Sequence, residues 1–234
     1  MRISLVVPTL NERGSIELLL RGIAEAWTQL PSGTALEVLI VDDGSTDGTA
    51  TAARSVALPF PVRVIERQER GLATAVLRGF REATGEVLGV MDADLSHPTE
   101  VLPLLVEALE RADLVVASRH ALGGAVEEWP WYRKFASWFA TQLARPLGIV
   151  TSDPMSGYFL LKRSVVEGAV CSPLGYKILL EILVKGQYRA LTEIPYTFRN
   201  RDVGKSKMGW RESLNYLRHL LRLYYWRFGH KHSS

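Results

Sequence analysis

Met91-Asp92-Ala93-Asp94-Leu95-Ser96-His97-Pro98 sets two aspartates one residue apart directly behind an apolar run. That run, residues 86–91 (EVLGVM), is bounded by Gly85 and reads as a short buried strand, so the carboxylates fall where the strand ends. Open α/β sheets collect ligands at the carboxyl ends of their strands. Two carboxylates there suit a hard divalent cation, Mg²⁺ or Mn²⁺, which commonly also holds substrate phosphates. A second reading stays open at this point: Asp92 caps the following turn and Asp94 is solvated, since aspartate is a common cap.

Working outward, strand and helix patterns alternate. Strands are expected at 3–7, 38–41, 62–66, 87–91 and 114–117, with helices near 15–29, 46–55, 71–83 and 99–111. This rhythm predicts an α/β fold with a Rossmann-like, mostly parallel sheet flanked by helices. Beyond it the pattern loosens. A helix is expected over 129–147, a turn and short strand over 153–162, and another helix over 173–185. Residues 191–198 read as an edge strand interrupted by Pro195, 204–209 as a mobile basic loop, and 212–228 as a closing amphipathic helix. The absence of repeats and low-complexity linkers favours one domain, 1–208, followed by a helix and basic tail, 209–234.

The 234 residues are 47% hydrophobic, enough for a sizeable core, and the net charge of +3 is too mild to indicate nucleic acid. Arginine and lysine crowd residues 199–231, which suggests an anionic partner near the C-terminus. The single cysteine, Cys171, excludes an intrachain disulfide and reads as a small buried residue in a reducing compartment. The chain opens into a strand-like run without an apolar leader, and no stretch approaches the ~20 residues of a membrane span. A protein at the cytoplasmic face of a membrane, but not within it, is therefore expected.

Pro8-Thr9-Leu10-Asn11-Glu12 ends the first strand, and Pro8 is expected to stop the sheet ladder there. A base or ribose could hydrogen-bond at this edge; equally, Asn11 or Ser15 caps a helix and Glu12 is solvated. Asp42-Asp43-Gly44-Ser45-Thr46-Asp47-Gly48-Thr49 supplies a second acidic edge. Asp43 could accept from a ribose or base, Asp47 is expected to cap the next helix, and Gly44 and Gly48 permit tight turns. Gly71, opening the next helix, is explained by close packing as well as by phosphate binding.

In order along the chain, PTLNE, DDGSTDGT, GLATA, MDADLSHP, Ser118-Arg119, DPMSGYF (153–159), GYKILLE (175–181) and RDVGKSK (201–207) resemble the family 2 glycosyltransferases of GT-A fold. The likeness covers roughly residues 3–208 and is strongest to dolichyl-phosphate mannosyltransferases and other polyprenyl-phosphate glycosyltransferases. It implies metal-dependent, inverting transfer of a sugar, mannose from GDP-mannose, to a dolichyl or polyprenyl phosphate. UDP-glucose as donor, a saccharide hydroxyl as acceptor with Asp153 as base, and a catalytically inactive sugar-nucleotide-binding module are the alternatives.

The resemblance places Pro8, Thr9, Glu12, Val41 and Asp43 around the nucleotide, where Thr9 replaces a tyrosine frequent in relatives. It makes Asp92 and Asp94 the ligands of Mg²⁺ or Mn²⁺, with Ala93 between them against the substrate. Ser96 takes the place of a glutamine ligand of some relatives. Arg119, Arg201 and Lys207 match cations that meet phosphates, and Asp153 matches a residue facing the reaction centre. A phosphate acceptor is largely dianionic at neutral pH, so it needs cations rather than a strong base. Arginine's planar fork suits it. Arg133 is a further candidate for that role, or else part of a solvated helix face with Lys134.

Trp129, Trp131, Trp138 and Phe139, and then Trp210, Tyr216, Leu217, Leu220, Leu221, Tyr224, Tyr225 and Trp226, make two aromatic-rich helices. Arg211, Arg218, Arg222, Arg227 and His230 accompany the second. Such helices suit a membrane surface, directly or through an anchoring partner protein, or else pack on the sheet.

Overall fold

The structure, a computed structural model, describes residues 1–126, 130–172, 175, 177–198 and 210–229, with side chains from 214 onward in the last stretch. Seven strands form the central sheet: β1 (Arg2–Thr9), β2 (Ala35–Asp42), β3 (Val62–Glu66), β4 (Val87–Val90), β5 (Leu114–Ser118), β7 (Phe159–Lys162) and β8 (Leu191–Pro195). Their order is β3-β2-β1-β4-β7-β5-β8, and only β7 runs against its neighbours β4 and β5. A separate two-stranded parallel ribbon joins β6 (Ala125–Val126) to β9 (Thr197–Phe198).

The apolar strands need cover on both faces, as parallel sheets do. One face carries α1 (Ile16–Trp27), α2 (Thr49–Ser55) and α4 (Leu102–Ala108), with Ile16, Leu19, Leu20 and Ile23 against Ile3, Leu5 and Val7. The other carries α3 (Leu72–Glu82), α6 (Ile178–Lys185), α7 (Trp210–Gly229) and the last turn of α5 (Trp131–Ala144). The expected α/β architecture is therefore present.

Several expectations are corrected. Pro8 does not end β1: it stays in register with Val41 of β2. The Val6 carbonyl accepts from Met91 N on the β4 side, so by two-residue alternation the N–H that Pro8 lacks would point past the last paired residue of β4. The helix expected from 46 begins at Thr49, because Gly48 turns the chain at φ 89° and Asp47 accepts the Thr49 N–H at 3.0 Å. The helix expected over 99–111 splits into a 3₁₀ turn, Thr99–Val101, and a short α4. The strand expected over 191–198 breaks at Pro195 and resumes as β9 on a different partner. Cys171 is half-buried, and burial pushes its thiol up to about 11.

The closing helix is not a single membrane-facing surface. Tyr216, Leu220 and Leu223 are core residues, and the hydroxyls of Tyr216 and Tyr224 donate to the carbonyls of Ala140 and Leu143 on α5. Leu217, Leu221 and Tyr225, in contrast, are exposed. No helix among the described residues is long and apolar enough to cross a membrane.

Candidate active site

Because β1, β2, β4 and β5 are parallel, Thr9, Asp42, Met91 and Ser118 all leave the sheet at one edge. The antiparallel β7 enters at that same edge. Its lead-in, residues 153–158, therefore arrives beside Asp92 from at least 61 positions away in sequence. Chain direction alone assembles the site.

At the β1–β2 end the side chains bind one another. Thr9 Oγ1 donates to Asp42 Oδ1 at 2.8 Å, and Ser45 N donates to Asp42 Oδ2 at 2.8 Å. Asp43 accepts from Gly71 N at 2.8 Å and from Arg67 Nη2 at 3.2 Å. Arg67, absent from the sequence expectations, thus ties the second acidic edge to the start of α3, and its Nη2 also reaches Thr74 Oγ1 at 2.8 Å. Asn11 holds a left-handed backbone, φ 58°, and its side-chain oxygen accepts from Thr46 N at 3.0 Å. Glu12 receives the Ser15 hydroxyl at 3.2 Å. Pro8 and Val41 are buried floor beneath these groups.

The β4 end is different. Asp92 Oδ2 lies 3.3 Å from His97 Nε2, while Asp92 Oδ1 is buried without a hydrogen-bond partner. Asp94, 8% exposed, accepts Ser96 N at 3.1 Å, and Ser96 Oγ is likewise buried without a partner. Leu95 between them sits at φ 61°, a strained position for a leucine, costing on the order of 1–3 kcal/mol. That turn reverses the chain between Asp94 and Ser96. Ala93 is buried behind the pair.

Among the described residues no group of three histidine, cysteine or acidic side chains surrounds a common point. The donor set is instead two carboxylates and a hydroxyl, all hard oxygens, with two of their atoms unsatisfied. Mg²⁺ and Mn²⁺ are held in this way, by one or two carboxylates with water and substrate phosphate completing the sphere. The residues fit the group.

Opposite stands the pair Arg119–Asp153. Arg119 Nε and Nη2 each donate to Asp153 at 2.7 Å, and the Arg119 backbone N–H adds a third bond at 3.1 Å. Burial alone would raise the Asp153 pKa, but the hydrogen bonds and charge of Arg119 hold it below the ordinary carboxylate value. Burial would lower that of Arg119, and Asp153 lifts it instead. Asp92 adds to the lift, so the two halves of the site feel each other's charge. The residues just before the lead-in are clamped by Glu193 of β8, which accepts from Thr151 Oγ1 at 2.8 Å and Ser152 Oγ at 2.7 Å.

The structure thus brings together Asp92, Asp94, Ser96, Arg119 and Asp153. Arg133 is half-buried on α5. Arg201 and Lys207 lie outside the described residues, as do Trp129, Tyr176 and His230. Sequence reasoning missed His97, Tyr196, Arg67 and Glu193. His97 was inside the decisive segment; nothing local marks Tyr196 and Glu193, whose partners are distant, or the bond from Arg67 back to Asp43, 24 positions earlier.

Comparison with known proteins completes this picture. Residues 4–168 match the family model "Glycosyl transferase family 2". A dolichol-phosphate mannosyltransferase of Pyrococcus furiosus is 45% identical over 231 residues, covering 97% of this chain and 64% of the relative, so the chain spans just under two thirds of that protein. One from Saccharomyces cerevisiae is 40% identical, covering 97% of this chain and 88% of the relative. The glucosyl-3-phosphoglycerate synthase of Mycobacterium tuberculosis, solved with Mn²⁺, UDP and glucosyl-3-phosphoglycerate, superposes with a TM-score of 0.69 at 21% identity. It covers 97% of this chain and 80% of its own, a likeness of fold. With a GT-A sheet, an aspartate pair at the end of β4 and these relatives, the chain belongs to glycosyl transferase family 2, alongside the dolichol-phosphate mannosyltransferases.

Proposed function

We propose that this protein transfers mannose from GDP-mannose to a polyprenyl or dolichyl phosphate, with inversion and with a divalent cation. The observation that carries the reading is the Asp92–Asp94–Ser96 oxygen set, in which Asp92 Oδ1 and Ser96 Oγ are buried without a hydrogen-bond partner, across from the Arg119–Asp153 pair at the carboxyl edge of the sheet. Asp92 and Asp94, with Ser96, would hold Mg²⁺ or Mn²⁺, which when bound neutralises charge growing on the leaving diphosphate. The chain's own groups do the rest. Pro8, Thr9, Glu12, Val41 and Asp43 flank the nucleotide, and Arg119, Arg133, Arg201 and Lys207 supply cations for the phosphates. Asp153 is fully engaged by Arg119 and lowered in pKa, so it is a poor proton acceptor. A phosphate acceptor, already ionised, needs none. That favours a lipid phosphate over a saccharide hydroxyl.

The test is transfer by purified protein from a panel of labelled nucleotide sugars to polyprenyl phosphate, with and without EDTA. GDP-mannose is expected to be the best donor, and a single displacement on its α-linked sugar should give a β-linked product. An α-linked product, a trapped glycosyl-enzyme, or full turnover in EDTA would overturn the reading.

A lipid acceptor asks for a membrane surface. On α5, Trp131 is 79% exposed, Tyr132 62%, Phe135 59% and Trp138 55%, beside the exposed Lys134. Aromatic and basic residues sharing a helix suit the interface of an anionic bilayer. We infer that α5 rests there. Burying a large apolar side chain is worth about 1.5–3 kcal/mol, so Phe135→Ser with Trp138→Ser should weaken co-sedimentation with anionic vesicles more than tenfold. Activity on a short, water-soluble acceptor should persist. Unchanged vesicle binding would remove α5 from the interface.

A further inference from the structure

His97 is 3% exposed and enclosed by aromatic rings, with Tyr158, Tyr196 and Phe198 at 5.5, 5.6 and 5.7 Å between centroids. An imidazole so desolvated needs partners for both nitrogens. It has them: Nδ1 lies 2.9 Å from the Tyr196 hydroxyl, and Nε2 lies 3.3 Å from Asp92 Oδ2, at the long end of hydrogen-bond range. Burial raises the Tyr196 pKa, so its hydroxyl keeps its proton and can donate. If it donates to Nδ1, the ring proton must sit on Nε2, where it points at Asp92.

A second neighbour crowds the same carboxylate. A Cβ at Gly157 would overlap Asp92 Oδ2 and stand 3.0 Å from Oδ1, so only glycine lets the β7 lead-in pass this close to the carboxylate. His97 therefore engages Asp92 Oδ2, Gly157 leaves the carboxylate the space it occupies, and Oδ1 is the atom left without a hydrogen-bond partner.

We propose that Tyr196 and His97 are positioning residues for cation binding: the Tyr196–His97–Asp92 chain fixes the plane of the Asp92 carboxylate so that Oδ1 is presented to the divalent ion. This rests on the cation reading above and assigns it two residues 99 positions apart in the chain. Outer partners of this kind orient a ligand without touching the metal, and losing one typically costs about 10–100-fold in affinity or activity.

The test is calorimetric titration of Mn²⁺ into wild type, His97→Ala, His97→Gln and Tyr196→Phe, with thermal melts run in parallel. The His97→Ala dissociation constant should rise at least about tenfold, and that of Tyr196→Phe by a smaller factor. Glutamine can place an amide N–H near the position of Nε2, so His97→Gln should stay within about threefold of wild type. In kinetics the loss should fall on the Mn²⁺ activation constant and be recovered at saturating Mn²⁺. Nitrogen NMR of the metal-free protein should show the His97 proton on Nε2. The proposal is overturned by a wild-type Mn²⁺ affinity in His97→Ala, by a glutamine variant no better than alanine, or by an Nδ1-protonated ring. Failure of wild type itself to take up Mn²⁺ is a different result and removes the underlying cation reading.

Discussion

Asp94→Asn is expected to leave a folded protein that transfers sugar at least about a hundredfold more slowly. The asparagine keeps an oxygen to accept the Ser96 N–H that Asp94 Oδ1 now receives at 3.1 Å, so the turn through Leu95 survives. What it lacks is the negative charge. Stabilising charge on a leaving group through a bound ion is worth several kcal/mol, and single electrostatic donors ~3–4, which at ~1.4 kcal/mol per decade gives about 10²–10³ in rate. Initial rates at saturating donor and Mn²⁺, with circular dichroism as the check on folding, measure it. Chelation of the wild type should produce the same loss. An asparagine variant within about threefold of wild type would show that Asp94 shapes a turn and no more.

Asp153→Ala is expected to cost stability as well as activity. Asp153 is 1% exposed, and its two oxygens carry three bonds from Arg119, whose side chain is 11% exposed and stacked over Phe198 at 5.3 Å. Removing the acid leaves a buried guanidinium without its counter-charge, which costs about 3–5 kcal/mol and lowers the melting temperature by roughly 6–20 °C. The sign with pH follows from the direction of the shift. A carboxyl lowered in the folded state stabilises above its unfolded value, 3.8, and that contribution is lost as pH falls through the lower folded value. Wild type should therefore lose stability steeply on acidification below about pH 4, and Asp153→Asn, which cannot titrate, less steeply. Melting curves across pH 2–7 decide this. An unshifted melting temperature in Asp153→Ala would mean the pair is not the buried bridge described.

The fold was legible because its signal is local. Short apolar runs bounded by glycine and proline locate β1 to β5, and hydrophobic spacing locates α1 and α3. The decisive MDADLSHP segment needs only one strand ending to make sense. Boundaries slipped where a distant or backbone-specific event decides them, as at Gly48, Pro195 and the split before α4. Of the two aromatic-rich helices, α5 leaves its aromatic face exposed and α7 packs one stripe on the body of the protein, because composition cannot say which of two adjacent stripes finds a partner.

The sequence by itself determined the type of protein: an α/β sheet with acidic residues at its strand ends, in an order that resembles one family. It determined which side chains could hold a cation or meet a phosphate, since those are properties of residue type. Tertiary structure decided how they are used. Only the antiparallel entry of β7 puts Gly157 against Asp92, only β8 delivers Tyr196 to His97, and only burial pairs Asp153 with Arg119. Those contacts join residues 34 to 99 positions apart, or lie between backbone and side chain, and no local pattern encodes them.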